Sequence, residues 1–425
     1  MKLAIVNGRL IDPENGIDAE RDLYIAHGTI LAVGEAPPGF QADERIDAAG
    51  KVVCPGLVDL SARLREPGQE HKATIASETR AAASAGITSL CCPPDTDPVV
   101  DTPAVAELIR QRAEAAGFAR VYPLGALTQA LDGTRLSEMA ALKAAHCVGV
   151  SNALTPLANT QVLRRAMEYA ATFDLTVFLH AEDPWLRNDG CAHEGMVSTR
   201  LGLPGIPEAA ETVAVARDLA LIEHTGARAH FCRLSTGKAL RMVARAQYDG
   251  LPVTADVSAH HLFLTEMDIG DFNSQCHILP PLRTLRDRDA LRAGITGTTL
   301  AAICSDHQPH EPDAKLAPFS ETASGISSLE TLLPLTLRLV DEQLLTLSDA
   351  LARLTCQPAR ILGIDGGTLG PGKPADVCIF DPDAYRFFSE KDMISRGRNT
   401  PFSGWELRGR VTHTLMGGMT VYKCP

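Results

Sequence analysis

The chain has 425 residues, 45% of them hydrophobic, and a formal net charge of −12. That length suits a barrel of about 250 residues with a smaller companion domain, and acidity without a Lys/Arg-rich run excludes nucleic acid and anionic membrane surfaces, which need clustered positive charge. No apolar stretch approaches the roughly 18 residues of a membrane span and no charged-then-apolar leader opens the chain, so a cytoplasmic protein is expected.

The first fifty residues read as short strands broken by glycine turns, as in "KLAIVNGRLID" and "DLYIAHGTILAVG". The tail has the same texture in "PADVCIFDP" (374–382) and "RVTHTLMGGMTVYK" (410–423), where Gly417-Gly418 suits a hairpin turn. Both chain ends are therefore expected to build one small β-sandwich domain, residues 1–53 plus 362–425. Between them, over 54–361, short apolar strands alternate with alanine-rich helical stretches. Strands are predicted at 57–60, 87–91, 120–122, 148–151, 176–180, 230–234, 253–257 and 300–305. Helices are predicted in segments such as "TPAVAELIRQRAEAAG" and "NTQVLRRAMEYAATF". Eight alternations imply an α/β fold, a parallel (β/α)8 barrel of TIM type, with functional residues at the C-terminal ends of the strands. An open doubly wound sheet is the alternative, but it lacks a Gly-x-Gly-x-x-Gly after its first strand. Of the eleven cysteines, Cys91, Cys92, Cys147, Cys304 and Cys378 fall in apolar strand-like runs and read as buried thiols. No Cys-x-x-Cys pair exists, which argues against a structural zinc site.

The stretch "VVCPGLVDLSARLREPG" (52–68) has the form of a metal-dependent hydrolase opening: a strand ending in Asp59, then a loop of the pattern His-x-His-x-Arg. Ser61 and Arg63 stand at the two histidine places. Further motifs follow in order: "SLCCPPDTDPVVDTP" (89–103), "VFLHAEDPWL" (177–186), "AHFCRLSTGKAL" (229–240), "ILPPLRTLRDRDAL" (278–291), "ICSDHQPH" (303–310), "GISSLETLLPL" (325–335) and "SRGRNTPFSGWELRGRV" (395–411). Over nearly its full length the chain thus resembles the dihydroorotases of the amidohydrolase superfamily, the group of pyrimidine biosynthesis. Kinship of fold is not by itself activity.

The resemblance implies two divalent metals, usually zinc, sharing a hydroxide that attacks a ring amide, with an Asp at the eighth strand moving the proton. The residues present depart from that set. Ser61 is a poor zinc ligand, and Arg63 offers only donors. Asn152 and Ala153 stand where relatives supply a bridging carboxylate or carboxylated lysine, and Arg233 where they place a sixth-strand histidine. Only His180 and Asp306 remain able to bind metal, too few for a catalytic zinc. No metal cofactor is therefore expected, and no catalytic set is intact beyond Asp306. Arg63 and Arg233 are instead expected to supply the lost positive charge beside Asp306. In the substrate-like pocket Arg65 and His310 keep carboxylate-contact positions, and Arg65 is expected to pair with a carboxylate. Asp95 replaces an asparagine, bringing negative charge toward an anionic substrate, and Leu279 replaces a polar residue. His180 reads as a barrel-top histidine bonded to a neighbour. His260, His261, His307 and His230 are given no ligand role.

Three functions compete. The first is a catalytically inactive dihydroorotase-like protein, a structural or assembly subunit; the resemblance implies the aspartate carbamoyltransferase catalytic chain as its partner, and a homo-oligomer. The second is an active dihydroorotase, or a hydantoinase-like or allantoinase-like cyclic amidase, with a zinc site rebuilt from Asp95, His307 or His310. The third is a small-molecule sensor gripping a carboxylate or nucleotide through Arg65 and His310.

Overall fold

The computed structural model describes residues 2–424. At the chain ends, alternating apolar residues fold two facing sheets. Lys2–Val6, Leu23–Ala26, Thr29–Val33 and Glu44–Asp47 form the first. The second runs, in spatial order, Met419–Lys423, Glu406–Met416, Val377–Phe387, Val52–Pro55, Arg9–Asp12, Ile17–Glu20. Val377–Phe387 lies antiparallel to Val52–Pro55, so backbone hydrogen bonds join the two ends of the chain. Gly417 and Gly418, at φ 56° and 74°, make the two-residue hairpin turn, which needs a left-handed backbone at both positions. Leu3, Ile5, Leu23, Ile25, Val53, Val377, Ile379 and Leu415 form the core between the sheets.

The middle of the chain is the barrel. Its strands are β1 (Leu57–Asp59), β2 (Ile87–Cys92), β3 (Arg120–Pro123), β4 (Gly149–Ser151), β5 (Thr176–Leu179), β6 (Ala229–Phe231), β7 (Val253–Ser258) and β8 (Ala302–Cys304). β3 pairs with β2, and its continuation Gly125–Ala126 pairs with β4. Helices return between strands with ordinary end signals. Pro103–Ala116 has proline in its first turn and Gly117 at φ 71° beyond its last. Thr160–Thr172 is capped by Asn159, whose side chain accepts from the amides of Gln161 and Val162. Val58, Leu60, Cys91, Phe178, Ala302 and Cys304 pack in one cluster with Ala359 and Leu362 of the helix Cys356–Leu362. Each large side chain so buried contributes about 1.5–3 kcal/mol. No disulfide forms among the described residues.

Closure between β8 and β1 differs from the other junctions. Low in the wall, Val58 N donates to Leu354 O at 2.8 Å and Ile303 N to Arg353 O at 3.2 Å, so residues 353 and 354 wedge between the two strands. At the top, a parallel bridge pairs Ala62 with His307, with Arg63 N to His307 O at 2.9 Å and His307 N to Ser61 O at 3.0 Å. Between these points the Asp59 carboxylate accepts from Ser305 N at 2.7 Å and from the Ser305 hydroxyl.

Candidate functional site: a charged centre at the barrel mouth

The residues just beyond β1, β6 and β8 converge. Ser61, Arg63, Arg233 and Asp306 are all buried, and Asp306 is 1% exposed. Arg63 Nη1 and Arg233 Nε each lie 3.5 Å from Asp306 Oδ1. Ser61 donates its hydroxyl to the same oxygen at 3.2 Å and accepts from Arg233 Nη1 at 3.2 Å. Gln308 Nε2 donates to Asp306 Oδ2 at 3.1 Å. Burial alone would push the Asp306 carboxyl up, but Arg233 and then Arg63 outweigh it and hold it below its usual range. Burial likewise works against the Arg233 cation, and Asp306 reverses the balance, so its pKa is raised. The aspartate is thus an anion between two guanidinium groups, an arrangement that needs no metal charge.

The backbone around this centre is unusual. Arg65, Ala153, Arg233 and Asp306 have φ of 64°, 51°, 55° and 47°, the left-handed region that non-glycine residues occupy at a cost of roughly 1–3 kcal/mol each.

The substrate-like pocket differs from expectation in three places. Among the described residues Arg65 pairs with no carboxylate: its Nε donates to Pro309 O at 3.0 Å, its Nη2 lies 2.9 Å from His310 Nε2, and its Nη1 lies 3.5 Å from Gln69 Oε1. A chain carbonyl and an imidazole thus take guanidinium donors that a carboxylate would otherwise use. Burial, with Arg63 adding to it, lowers Arg65 to about 10. Burial, then Arg65, lowers His310 to about 2, so this imidazole is neutral. Asp95, expected to bring negative charge toward an anionic substrate, is 2.7 Å from Arg63 Nε, which offsets that charge. Leu279 packs with Ile206 and Ala210. The cavity bordered by Arg63, Arg65, Gln69 and Asp95 holds about 10 Å³, the room of a single water molecule rather than an organic acid.

Asn152 also faces away from the centre. Its Oδ1 accepts from Thr128 Oγ1 at 2.9 Å, and its Nδ2 donates to Thr155 O at 3.0 Å. Ala153 packs with Ala126 and Leu131. His180 Nε2 is 3.4 Å from Glu182 Oε2. Burial pushes Glu182 up, and His180 with Arg187 and Arg283 bring it below its usual range. His260 is buried with neither ring nitrogen partnered among the described residues, and burial lowers it to about 4. His230 sits inside the barrel, with Nδ1 2.8 Å from Thr254 Oγ1 and Nε2 3.2 Å from Asp256 Oδ2.

A second buried network, missed in the sequence, supports the centre from outside. His307 Nε2 lies 2.8 Å from Glu78 Oε2, which also accepts from Ser395 Oγ at 2.7 Å. Asn399 Nδ2 donates to Gln308 O and Gly325 O at 2.9 and 3.0 Å, and its Oδ1 accepts from His310 N at 2.8 Å. Residues 395–399 therefore strap the loop after β8 in place. The available signal was a Ser and an Asn in "SRGRN", short polar side chains able to satisfy buried backbone groups.

The metal pair implied by the resemblance does not fit these residues. A catalytic zinc takes at least three protein ligands, and among the described residues no group of three or more His, Cys, Asp or Glu is placed to hold a metal ion. The oxygens of Asp306 are already engaged by Arg63, Arg233, Ser61 and Gln308. A cavity of about 1220 Å³ lies at the opposite end of the barrel, among Arg120, Val148, Thr176, Arg228, Thr254 and Ile361. Sequence reasoning, which looked only to the strand C-termini, did not point there. No helix among the described residues is long and apolar enough to cross a membrane.

Comparison with known proteins agrees with this frame. Residues 50–239 match the family described as dihydro-orotase-like, and 322–422 an amidohydrolase family. A protein of Pseudomonas putida named dihydroorotase-like protein is 51% identical over 418 residues, covering 98% of each chain. A Syntrophotalea carbinolica protein named dihydroorotase is 45% identical, covering 100% of this chain and 99% of its own. Among solved structures, the L-hydantoinase (dihydropyrimidinase) of Arthrobacter aurescens superposes with a TM-score of 0.88 at 21% identity, covering 99% of this chain and 96% of the other. The dihydropyrimidinase of Brevibacillus agri NCHU1002 gives 0.84 at 21% identity, covering 100% and 95%. These two carry the fold alone.

Proposed function

Given that the chain belongs to the dihydroorotase-like proteins of the amidohydrolase superfamily, we propose that it is a catalytically inactive member of that pyrimidine-related group, kept as an assembly subunit for the catalytic chain of aspartate carbamoyltransferase. One observation carries the inactive half of this reading: Asp306, the group that would move the proton, lies 3.5 Å from each of two guanidinium groups standing at histidine positions. A guanidinium stays protonated and has no lone pair for a cation. With its carboxylate engaged and no metal-bound hydroxide to serve, Asp306 has no reacting group to exchange a proton with. The assembly half rests on the resemblance, and on a full barrel retained around an altered centre.

The test is to co-purify the chain with the aspartate carbamoyltransferase of its own organism, measure bound metal, and assay dihydroorotate hydrolysis. Comigration without turnover and without about two zinc ions per chain is expected. Turnover with two bound zinc ions would establish the active alternative, which the name of the 45% identical relative makes worth the assay.

A further inference from the structure

Six large apolar side chains, Trp185, Leu186, Met196, Met267, Phe272 and Leu316, are 82, 39, 87, 63, 50 and 78% exposed. All lie in three segments, 184–201, 266–276 and 311–324, that follow the C-terminal ends of β5, β7 and β8. These segments are joined to one another. The helix Met196–Leu201 packs on Glu266–Phe272. Buried Arg283 donates to Ile206 O at 2.7 Å and lies 3.1 Å from His193 Nδ1, while its own carbonyl accepts from Glu266 N at 2.8 Å. Lys315 Nζ donates to Ser274 O at 3.1 Å and Ala323 O at 2.6 Å, tying the second segment to the third. Arg283 and Lys315 are buried, while the apolar tips are exposed. Exposed apolar side chains gathered on segments joined to one another are the kind of surface that marks an interaction site.

Charge selects the occupant. In the same three segments Asp189, Glu194, Asp268, Asp271, Asp313 and Glu321 are exposed, against one exposed cation, Arg200. A two-fold contact of this face with itself would set these carboxylates against their own copies, which like-charge repulsion opposes. An anionic membrane surface is repelled for the same reason. We propose that this acidic-rimmed apolar face docks a protein surface of opposite character, with apolar sockets ringed by Lys and Arg. Resting on the reading above, that surface belongs to the catalytic chain of aspartate carbamoyltransferase. The altered mouth is then the foundation of an interface rather than the entrance to a reaction site.

Binding of the full chain to purified aspartate carbamoyltransferase, measured by surface plasmon resonance, tests this. The combined variant Trp185→Asp, Met196→Asp and Leu316→Asp is expected to weaken binding at least tenfold while keeping the circular dichroism and melting temperature of the parent, since all three side chains are exposed. Asp268→Lys with Asp271→Lys is expected to slow association at least threefold at low salt and to flatten its salt dependence. Tyr248→Asp, 82% exposed at the far end of the helix Gly237–Tyr248, is expected to change nothing. Unchanged affinity of the triple variant, with the parent still binding, overturns this interface and leaves the assembly role standing. Failure of the parent to bind removes that role and this interface with it. A parent that dimerises alone in sedimentation, with a monomeric triple variant, makes a second copy the occupant and also overturns the proposal.

Discussion

Asp306 is stable as an anion because two cations face it, and each can be removed in turn. Arg233→Met leaves the buried carboxylate with one cation, Arg63 at 3.5 Å, and breaking such a pair from one side costs about 3–5 kcal/mol. The native Asp306 carboxyl lies below its usual range, so its contribution is complete above its unfolded pKa of about 3.9 and disappears only as pH falls through the lower native value. Urea midpoints of parent and Arg233→Met should therefore differ widely at pH 7 and converge as the pH falls through that lower native value. In the neighbouring pair, Arg65→Gln removes a positive charge beside His310. That histidine should titrate above its present value of about 2 but, still buried, below about 6.5. Histidine ring NMR reads both numbers. The identities of Arg63 and Arg233 were legible in the sequence because the motif fixed their places. The partner of Arg65 was not, because a backbone carbonyl has no residue letter and His310 lies 245 positions away.

At the scale of the element, seven of the eight strands were legible within two residues at either end, since each is a short apolar run bounded by turns and helices; the sixth ends at Phe231, three residues before the expected 234. Two features were not. β3 stops at Pro123 and its pairing passes to Gly125–Ala126, a break that hydrophobic pattern cannot register. The strap of residues 395–399 has no period at all, and its role comes from side chains meeting backbone groups elsewhere. Asn399→Ala would strand Gln308 O, Gly325 O and His310 N. Each buried group left unpaired costs about 1–3 kcal/mol. A lowered urea midpoint and faster hydrogen exchange at the His310 amide are the expected outcomes. Unchanged exchange there would mean that the loop after β8 is held from the barrel side alone.

For the whole molecule, the net charge of −12 gains a direction once the mouth face is seen to be acidic. Association with a basic-rimmed partner should slow steeply as salt rises, because steering between such surfaces is screened over about 8–10 Å at physiological ionic strength. Metal removal tests the centre itself: chelator treatment is expected to leave the melting temperature unchanged, because two arginine side chains already face Asp306. A melting temperature that falls on chelation and recovers with added zinc would show a metal holding the fold.

The seam between β1 and β8 carries a consequence for how the chain comes together. The Asp59–Ser305 contact spans 246 residues, and Ala62 meets His307 at the same junction. The first wall of the barrel therefore waits, with one edge open, until almost three quarters of the polypeptide has left the ribosome. Closing so long a loop is slow and leaves a sticky edge available to other chains meanwhile. Refolding from denaturant should accordingly be slow and concentration-sensitive, and a fragment ending before β8 should aggregate rather than form a smaller barrel.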